Sequence, residues 1–273
     1  MLRFFFASIL VLFLITPSLH AADTKTHVVH FVFESPREFV VGEEITYVVK
    51  YYLLKLGEIK LRVVSKKVVN GKPVYNAVGY IDSYSGVPLV DLHMIYETRF
   101  NDSYFSNYFK GLVRKKEYTT FTDYTFDYSA AKVKVRQGKV NPYELWTDST
   151  GVASTQYQDG LSIFYYARAY SGKKKSSNLP CLVNEKHVYA KINFHDEVDK
   201  IHIDAVDYDI AVQHLDGETN FVSVFGLTGF FEGWFSNDEA AIPIVAKLNV
   251  IVGRVSVELI SWKRPGWMPP RYH

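Results

Sequence analysis

Hydrophobic and polar residues alternate one by one near the C-terminal end of the chain, from Arg254 to Leu259. A period of two is typical of a β-strand with one buried face and one face in water. The preceding segment, from Pro243 to Val252, holds few charges, and Gly253 marks a reversal. The pattern therefore predicts a hairpin, which we place at the edge of a larger antiparallel sheet.

The same alternation recurs along most of the chain, in Ile45–Val49, Ile59–Val63, Val74–Tyr80, Thr119–Tyr128, Lys132–Arg136 and Val188–Ile192. Turn signals separate these segments, among them a reversal near Gly57 and the Asn70-Gly71 pair. Strands spaced about ten residues apart favour a mainly β fold over alternating β and α units. A single sheet of about ten strands must curl and hide its edges, so we predict a strongly curved antiparallel sheet or incompletely closed β-barrel.

One segment is predicted to be helical, Leu161–Tyr170, and the fold is expected to hold one or two such short helices on its concave side. Asp159 and Ser162 offer oxygens that can cap the helix start, and Gly172 is suited to its end. Four side chains fall on one side of the helix at helical spacing, namely Leu161, Phe164, Tyr165 and Arg168.

The N-terminal residues have the pattern of a secretory signal peptide. Arg3 precedes an apolar run, Phe4–Ile15, and Pro17 follows it. The run is shorter than the roughly 17–25 residues that span a bilayer. We therefore expect residues 1–22 to be removed by cleavage near Ala21 or Ala22, giving an exported, periplasmic protein. A single domain is expected over residues 23–262, followed by a basic, proline-rich and irregular tail over residues 263–273.

Composition narrows the classes of function. The formal net charge is only +2, which does not indicate a nucleic-acid partner. Cys181 is the only cysteine, so the chain has no intramolecular disulfide, and no motif around the thiol suggests reactivity. Two basic triplets, Arg114–Lys116 and Lys173–Lys175, would support at most peripheral contact with an anionic membrane surface.

Three motifs resemble an exported bacterial family of unknown function, DUF3108. The first is Gly42–Tyr47 followed by Gly57, the second is Gln158–Arg168, and the third comprises Trp234, Ser236, Asp238, Pro243 and Gly253. Together they cover about residues 40–260. The expected architecture is similar to the half-barrel of envelope lipoprotein carriers such as LolA and LolB. That similarity concerns the fold and does not assign a function.

Candidate catalytic and metal sites are weakly supported by the sequence. His187, His195, His202 and His214 occur among many acidic residues, but no pair has the spacing of a helical His-x-x-x-His motif or a tight strand pair. We therefore expect no metal site and interpret these acidic residues as the solvent-exposed side of two strands. The chain has no Gly-x-Ser-x-Gly elbow and no phosphate-binding glycine loop, so we expect no cofactor.

The aromatic residues suggest a binding function. Phe230, Phe231, Trp234 and Phe235 are clustered between glycines that imply a bend. With the helix side chains they could line a concave apolar site. The preferred interpretation is a non-catalytic periplasmic protein that binds a hydrophobic ligand, such as a lipid or acyl chain, or assists cell-envelope assembly.

Two other interpretations stay open. One is a hydrolase-type enzyme with a polar centre formed by Asp159, Arg168, Trp234 and Asp238, which requires these groups to converge in a cleft. The other is a scaffold that pairs an exposed strand edge with an envelope protein partner.

Overall fold

The structure is a computed structural model that describes residues 37–88, 90–183, 186–219, 221, 227–250 and 253–273. Within these residues the chain forms one antiparallel sheet of fourteen strands and one helix. The strands are β1 Glu44–Tyr51, β2 Leu54–Val69, β3 Lys72–Ser83, β4 His93–Phe100, β5 Ser106–Arg114, β6 Thr119–Asp127, β7 Lys132–Lys139, β8 Glu144–Val152, β9 Lys175–Val183, β10 Lys186–Ile201, β11 Ile210–Thr219, β12 Leu227–Ser236, β13 Pro243–Val250 and β14 Arg254–Lys263. The helix, α1, is Ser162–Tyr170. The predicted mainly β fold with an antiparallel sheet is confirmed.

The strand order follows the sequence with a single long connection. Neighbours run β8 to β1 and then continue through β14 to β9, so that β1 pairs with β14 in the middle of the sheet. Strands β8 and β9 are the two edges, and the sheet is not closed into a barrel. The predicted hairpin forms as β13 and β14, but its placement at an edge is wrong. Each of its strands has a second partner, β12 and β1 respectively.

Local turn chemistry explains part of the register. Asn70 and Gly71 both have positive φ, 52° and 78°, as a two-residue hairpin between β2 and β3 requires. The reversal predicted near Gly57 instead lies at Tyr52 and Leu53, between β1 and β2. Gly57 belongs to β2, where an added Cβ would lie 2.2 Å from the Asp82 carbonyl oxygen. This glycine therefore permits close strand pairing and does not form the turn.

The connection between the two edge strands carries α1 onto the core. Tyr165 stacks on Phe100 of β4, with ring centroids 4.7 Å apart. Leu161 packs over Gly79 of β3, where an added Cβ would lie 3.4 Å from a Leu161 methyl carbon. A small residue on the sheet thus lets the start of the helix approach closely. Among the described residues, no helix is long and apolar enough to cross a membrane.

The C-terminal residues after β14 are irregular, as expected, but they are held by hydrogen bonds. The Pro270 carbonyl accepts from the Ala211 N–H at 2.8 Å, and the Pro269 carbonyl accepts from the Tyr208 hydroxyl at 2.9 Å. The tail therefore packs along the start of β11.

Candidate functional site

An apolar cavity of about 150 Å³ lies between α1 and the sheet. Its walls come from the helix, from β1 and β2, and from β9 to β14. Nearly all of the lining is apolar, including Ile59, Leu61, Ile163, Phe164, Ala167, Ile192, Leu215, Phe231, Phe235, Ala246, Leu248 and Val257. Concave apolar sites of this kind are the usual form of a small-ligand site.

The aromatic cluster on β12 is divided between two faces. Phe231 and Phe235 are buried and line the cavity. Phe230 is 43% exposed, and Trp234 instead packs its ring against the His214 imidazole at 5.0 Å. The segment is a strand, but an irregular one, because Gly229 has a positive φ of 67° and the register with β13 shifts between Leu227 and Phe231 and again between Trp234 and Phe235. Within it, successive side chains point to opposite faces. The structure therefore brings two of the four predicted aromatic residues to the cavity.

The predicted helix side chains are also divided. Phe164 lines the cavity together with Ile163 and Ala167. Leu161 and Tyr165 are buried against the neighbouring part of the core, on the side of β3 and β4. Successive residues of a helix are rotated by about 100°, so Ile163 and Ala167 point to one side, Leu161 and Tyr165 point to another, and Phe164 lies between the two directions. Ile163 and Ala167 were missed because helical spacing was used to place Leu161, Phe164, Tyr165 and Arg168 on the inward side, and Ile163 and Ala167 lie on the adjacent side.

Arg168 belongs to a buried ionic cluster near the end of α1. Its guanidinium donates to the two Glu43 carboxylate oxygens at 2.6 and 3.1 Å and to the Ala240 carbonyl at 3.0 Å. Arg264 donates to the same carboxylate. Burial alone would raise the pKa of Glu43, but the two guanidinium groups hold that pKa below its usual value. Glu43 lies inside the first motif, yet nothing in the sequence identified its partner.

Asp159 and Ser162 organise the start of α1, as predicted from their capping chemistry. One Asp159 carboxylate oxygen accepts from the backbone N–H groups of Leu161 and Ser162, both at 2.7 Å. The other accepts from the Thr98 hydroxyl at 2.5 Å. The Ser162 hydroxyl donates to the Gln158 side-chain oxygen at 2.7 Å. Burial raises the pKa of Asp159, against the opposing effect of these hydrogen bonds.

Asp238 organises a third polar group, which adjoins the Arg168 cluster because Ala240 takes part in both. It accepts from the backbone N–H groups of Ala240 and Ala241, both at 3.0 Å, and from the Trp267 indole at 2.7 Å. Arg168 lies roughly 9 Å along the helix axis from its first residue, so it is remote from the capping carboxylate of Asp159. Trp234 packs against His214 on the other face of the sheet. Arg168 and Asp238 are therefore neighbours, but Asp159 and Trp234 do not converge with them in one cleft.

One polar group at the cavity is unusual. Tyr47 is 4% exposed and lines the cavity, and its hydroxyl has no hydrogen-bond partner among the described residues. Burial raises the pKa of this phenol above its ordinary value, so the hydroxyl keeps its proton. A buried donor without a partner is unfavourable by roughly 1–3 kcal/mol. The hydroxyl oxygen is itself fully buried, where the charges of Arg168 and Glu43 act on it, so it does not open onto the cavity.

Fold and cavity together define a class of protein, an open antiparallel β half-barrel that packs one helix beside an apolar site. The sequence matches DUF3108, described as a protein of unknown function, over residues 46–260. The chain therefore belongs to the DUF3108 family. No curated protein matches the sequence.

Solved structures support the fold. A β-barrel-like protein of the DUF1849 family from Brucella abortus aligns with a TM-score of 0.51 at 10% identity, covering 82% of this chain and 98% of that chain. A Bacteroides fragilis protein with a YmcC-like fold aligns with a TM-score of 0.36 at 11% identity, covering 84% of this chain and 99% of that chain. The first likeness shows the fold alone, and the second is too low to support a conclusion.

Proposed function

We propose that this protein is an exported, non-catalytic periplasmic protein that binds a lipid or acyl chain in the cavity beside α1. The observation that carries the proposal is the apolar lining of that cavity, to which the helix and eight strands contribute. Such a surface offers a ligand burial of its hydrocarbon at roughly 25 cal/mol per Å². A chain exported by the signal peptide predicted at residues 1–22, which lie outside the described residues, would meet envelope lipids.

The size of the cavity restricts what it holds. Apolar cavities near 150 Å³ accommodate a group about as large as benzene, whereas sites for whole drug-sized ligands are roughly 300–1,000 Å³. The cavity therefore accepts one end of a hydrocarbon chain, and the remainder of the ligand extends through the opening. Ile163, Phe164 and Leu248 are only partly buried and form part of the lining at which the chain would leave.

The lining favours the hydrocarbon part of a ligand, because almost none of its surface is polar. The polar end of a fatty acid or acyl ester would lie at or outside the opening of the cavity. An envelope protein that delivers or receives the lipid is part of the same proposal.

Filling the cavity tests the proposal. In Ala246→Phe a phenyl ring is added to a residue that lines the cavity on β13. In the control Ser256→Phe the same ring is added on β14. Ser256 pairs with the exposed Lys247 and does not line the cavity. Binding would be measured with dansylaminoundecanoic acid, whose fluorescence rises in an apolar environment.

We expect Ala246→Phe to weaken binding of the probe at least tenfold, because the ring occupies the space that the chain requires. Ser256→Phe should bind as the unaltered protein does. Equal binding by both variants, or no binding by the unaltered protein, would contradict the proposed site.

A further inference from the structure

The outward face of β10 to β12 brings together residues that are distant in the sequence. His214 and Asp216 are two residues apart on β11, so they share a face. Leu215 between them points the other way and lines the cavity. His195 reaches the same place from an irregularity in β10, between Phe194 and Val198, where the pairing with β11 shifts. Such bulges commonly re-aim a side chain.

The three side chains present converging ligand atoms. One atom each from His195, His214 and Asp216 lies within 4.8 Å of the others. His195 Nε2 is 2.6 Å from an Asp216 carboxylate oxygen. The two imidazole rings are stacked, with centroids 5.2 Å apart and an interplanar angle of 12°. The cluster is partly buried, so water competes less strongly for it than on an open surface.

An ordinary His–Asp hydrogen bond does not account for the whole cluster. His214 Nε2 is buried and has no hydrogen-bond partner among the described residues. The nearest further carboxylate is that of Glu232 at 3.7 Å, and Arg254 already donates to it. This buried ring nitrogen lies in a cluster with a second imidazole and a carboxylate, and its lone pair is available to a metal ion.

We propose that His195, His214 and Asp216 bind one divalent transition-metal ion of the Zn²⁺ class. Two imidazole nitrogens and one carboxylate oxygen form a ligand set that suits Zn²⁺ and its neighbours better than Mg²⁺ or Ca²⁺. Bonds of about 2.0–2.1 Å in a tetrahedron place ligand atoms about 3.3 Å apart. The ligand atoms lie within 4.8 Å of one another, so binding requires side-chain rotations that bring them to that spacing, and water takes the fourth position.

Neighbouring side chains hold the ligands in place. Asn193 donates to the second oxygen of Asp216 at 2.7 Å, which fixes the carboxylate. The Trp234 ring packs against His214 and shields it from water. Supporting contacts of this kind are typical of protein metal sites. Spacing along the chain does not indicate a metal site here, because these ligands meet across the paired strands β10 and β11.

The test is a titration of the full-length chain, purified without a histidine tag and stripped of metal, with Zn²⁺ in a calorimeter. We expect one Zn²⁺ per chain, and substitution with Co²⁺ should give the intense visible bands of a tetrahedral complex. Asn193→Ala should weaken Zn²⁺ binding about 10–100-fold. His195→Ala and His214→Ala, which remove ligands outright, should weaken it more.

The matched control is His202→Ala, because this exposed histidine lies near the same strands and pairs with Asp209 at 3.4 Å, away from the cluster. It should leave Zn²⁺ affinity unchanged. His195 is 40% exposed, so its alanine variant is expected to stay folded, which circular dichroism would verify. Retention of Zn²⁺ affinity by both cluster variants, an absence of binding at 1 mM Zn²⁺ by the unaltered chain, or equal affinity for Ca²⁺ would each overturn the proposal.

Discussion

The buried ionic cluster at the end of α1 makes a quantitative prediction about stability. Glu43 is 1% exposed and receives hydrogen bonds from Arg168 and Arg264. Glu43→Gln removes the negative charge and leaves the buried Arg168 without a charged partner. Breaking a buried pair in this way lowers the free energy of unfolding by about 3–5 kcal/mol. For a domain of this size, that corresponds to a fall in Tm of roughly 6–20 °C.

The chain supplies a matched control in the Glu38–Lys66 pair. Its 2.8 Å contact is nearly the same length, but the Glu38 side chain is 74% exposed. Glu38→Gln should change the free energy of unfolding by no more than about 1 kcal/mol. Urea denaturation followed by tryptophan fluorescence would measure both variants. If Glu43→Gln were no more destabilising than Glu38→Gln, the buried cluster would not stabilise the fold as described.

The same cluster predicts a dependence on pH. Because the pKa of Glu43 is lower in the folded than in the unfolded protein, its contribution is present above the unfolded pKa of about 4.3. That contribution is lost as the pH falls through the folded pKa. The difference in unfolding free energy between Glu43→Gln and the unaltered protein should therefore be largest near neutral pH and shrink in acid.

Three further predictions concern local structure. Gly57→Ala should destabilise the protein by about 1–3 kcal/mol because its Cβ would meet the Asp82 carbonyl, whereas Gly151→Ala, with a nearest contact of 3.6 Å, should be tolerated in the same urea assay. Asp159→Ala should remove the cap of α1, at about 0.5–2 kcal/mol or more, and hydrogen exchange of the helix amides should accelerate. Burial raises the pKa of the Cys181 thiol to about 12, so Ellman's reagent at pH 8 should modify it only after denaturation; rapid modification of the native protein would contradict its burial.

Local patterns predicted much of the fold because strands and turns depend on nearby residues. Alternation located β6 at Thr119–Asp127, within one residue of its prediction, and Asn70-Gly71 located a hairpin. The capping oxygen of Asp159 located the start of α1 within one residue. Strand order in the middle of the sheet was not predictable in this way. The pairing of β1 with β14 joins residues that are distant in the sequence, such as Glu44 and Lys263. Alternation carries no information on which distant strands pair.

The candidate site was predicted only in part for the same reason. Helical spacing and aromatic content led to Phe164, Phe231 and Phe235, which line the cavity. They did not separate these residues from Phe230 and Trp234, because the glycines around them indicated a bend in place of a regular strand. Once the segment is known to be a strand, its period of two assigns each residue to a face.

The central claim, that the cavity beside α1 binds a lipid or acyl chain, is tested most directly by native mass spectrometry. The protein would be purified gently from the periplasm, and the bound material extracted and analysed as lipid. We predict a stoichiometric lipid or fatty acid on the unaltered protein and on Ser256→Phe, and its loss from Ala246→Phe. A protein that carries no lipid and takes none up from vesicles, or a lipid that remains on Ala246→Phe, would contradict the account.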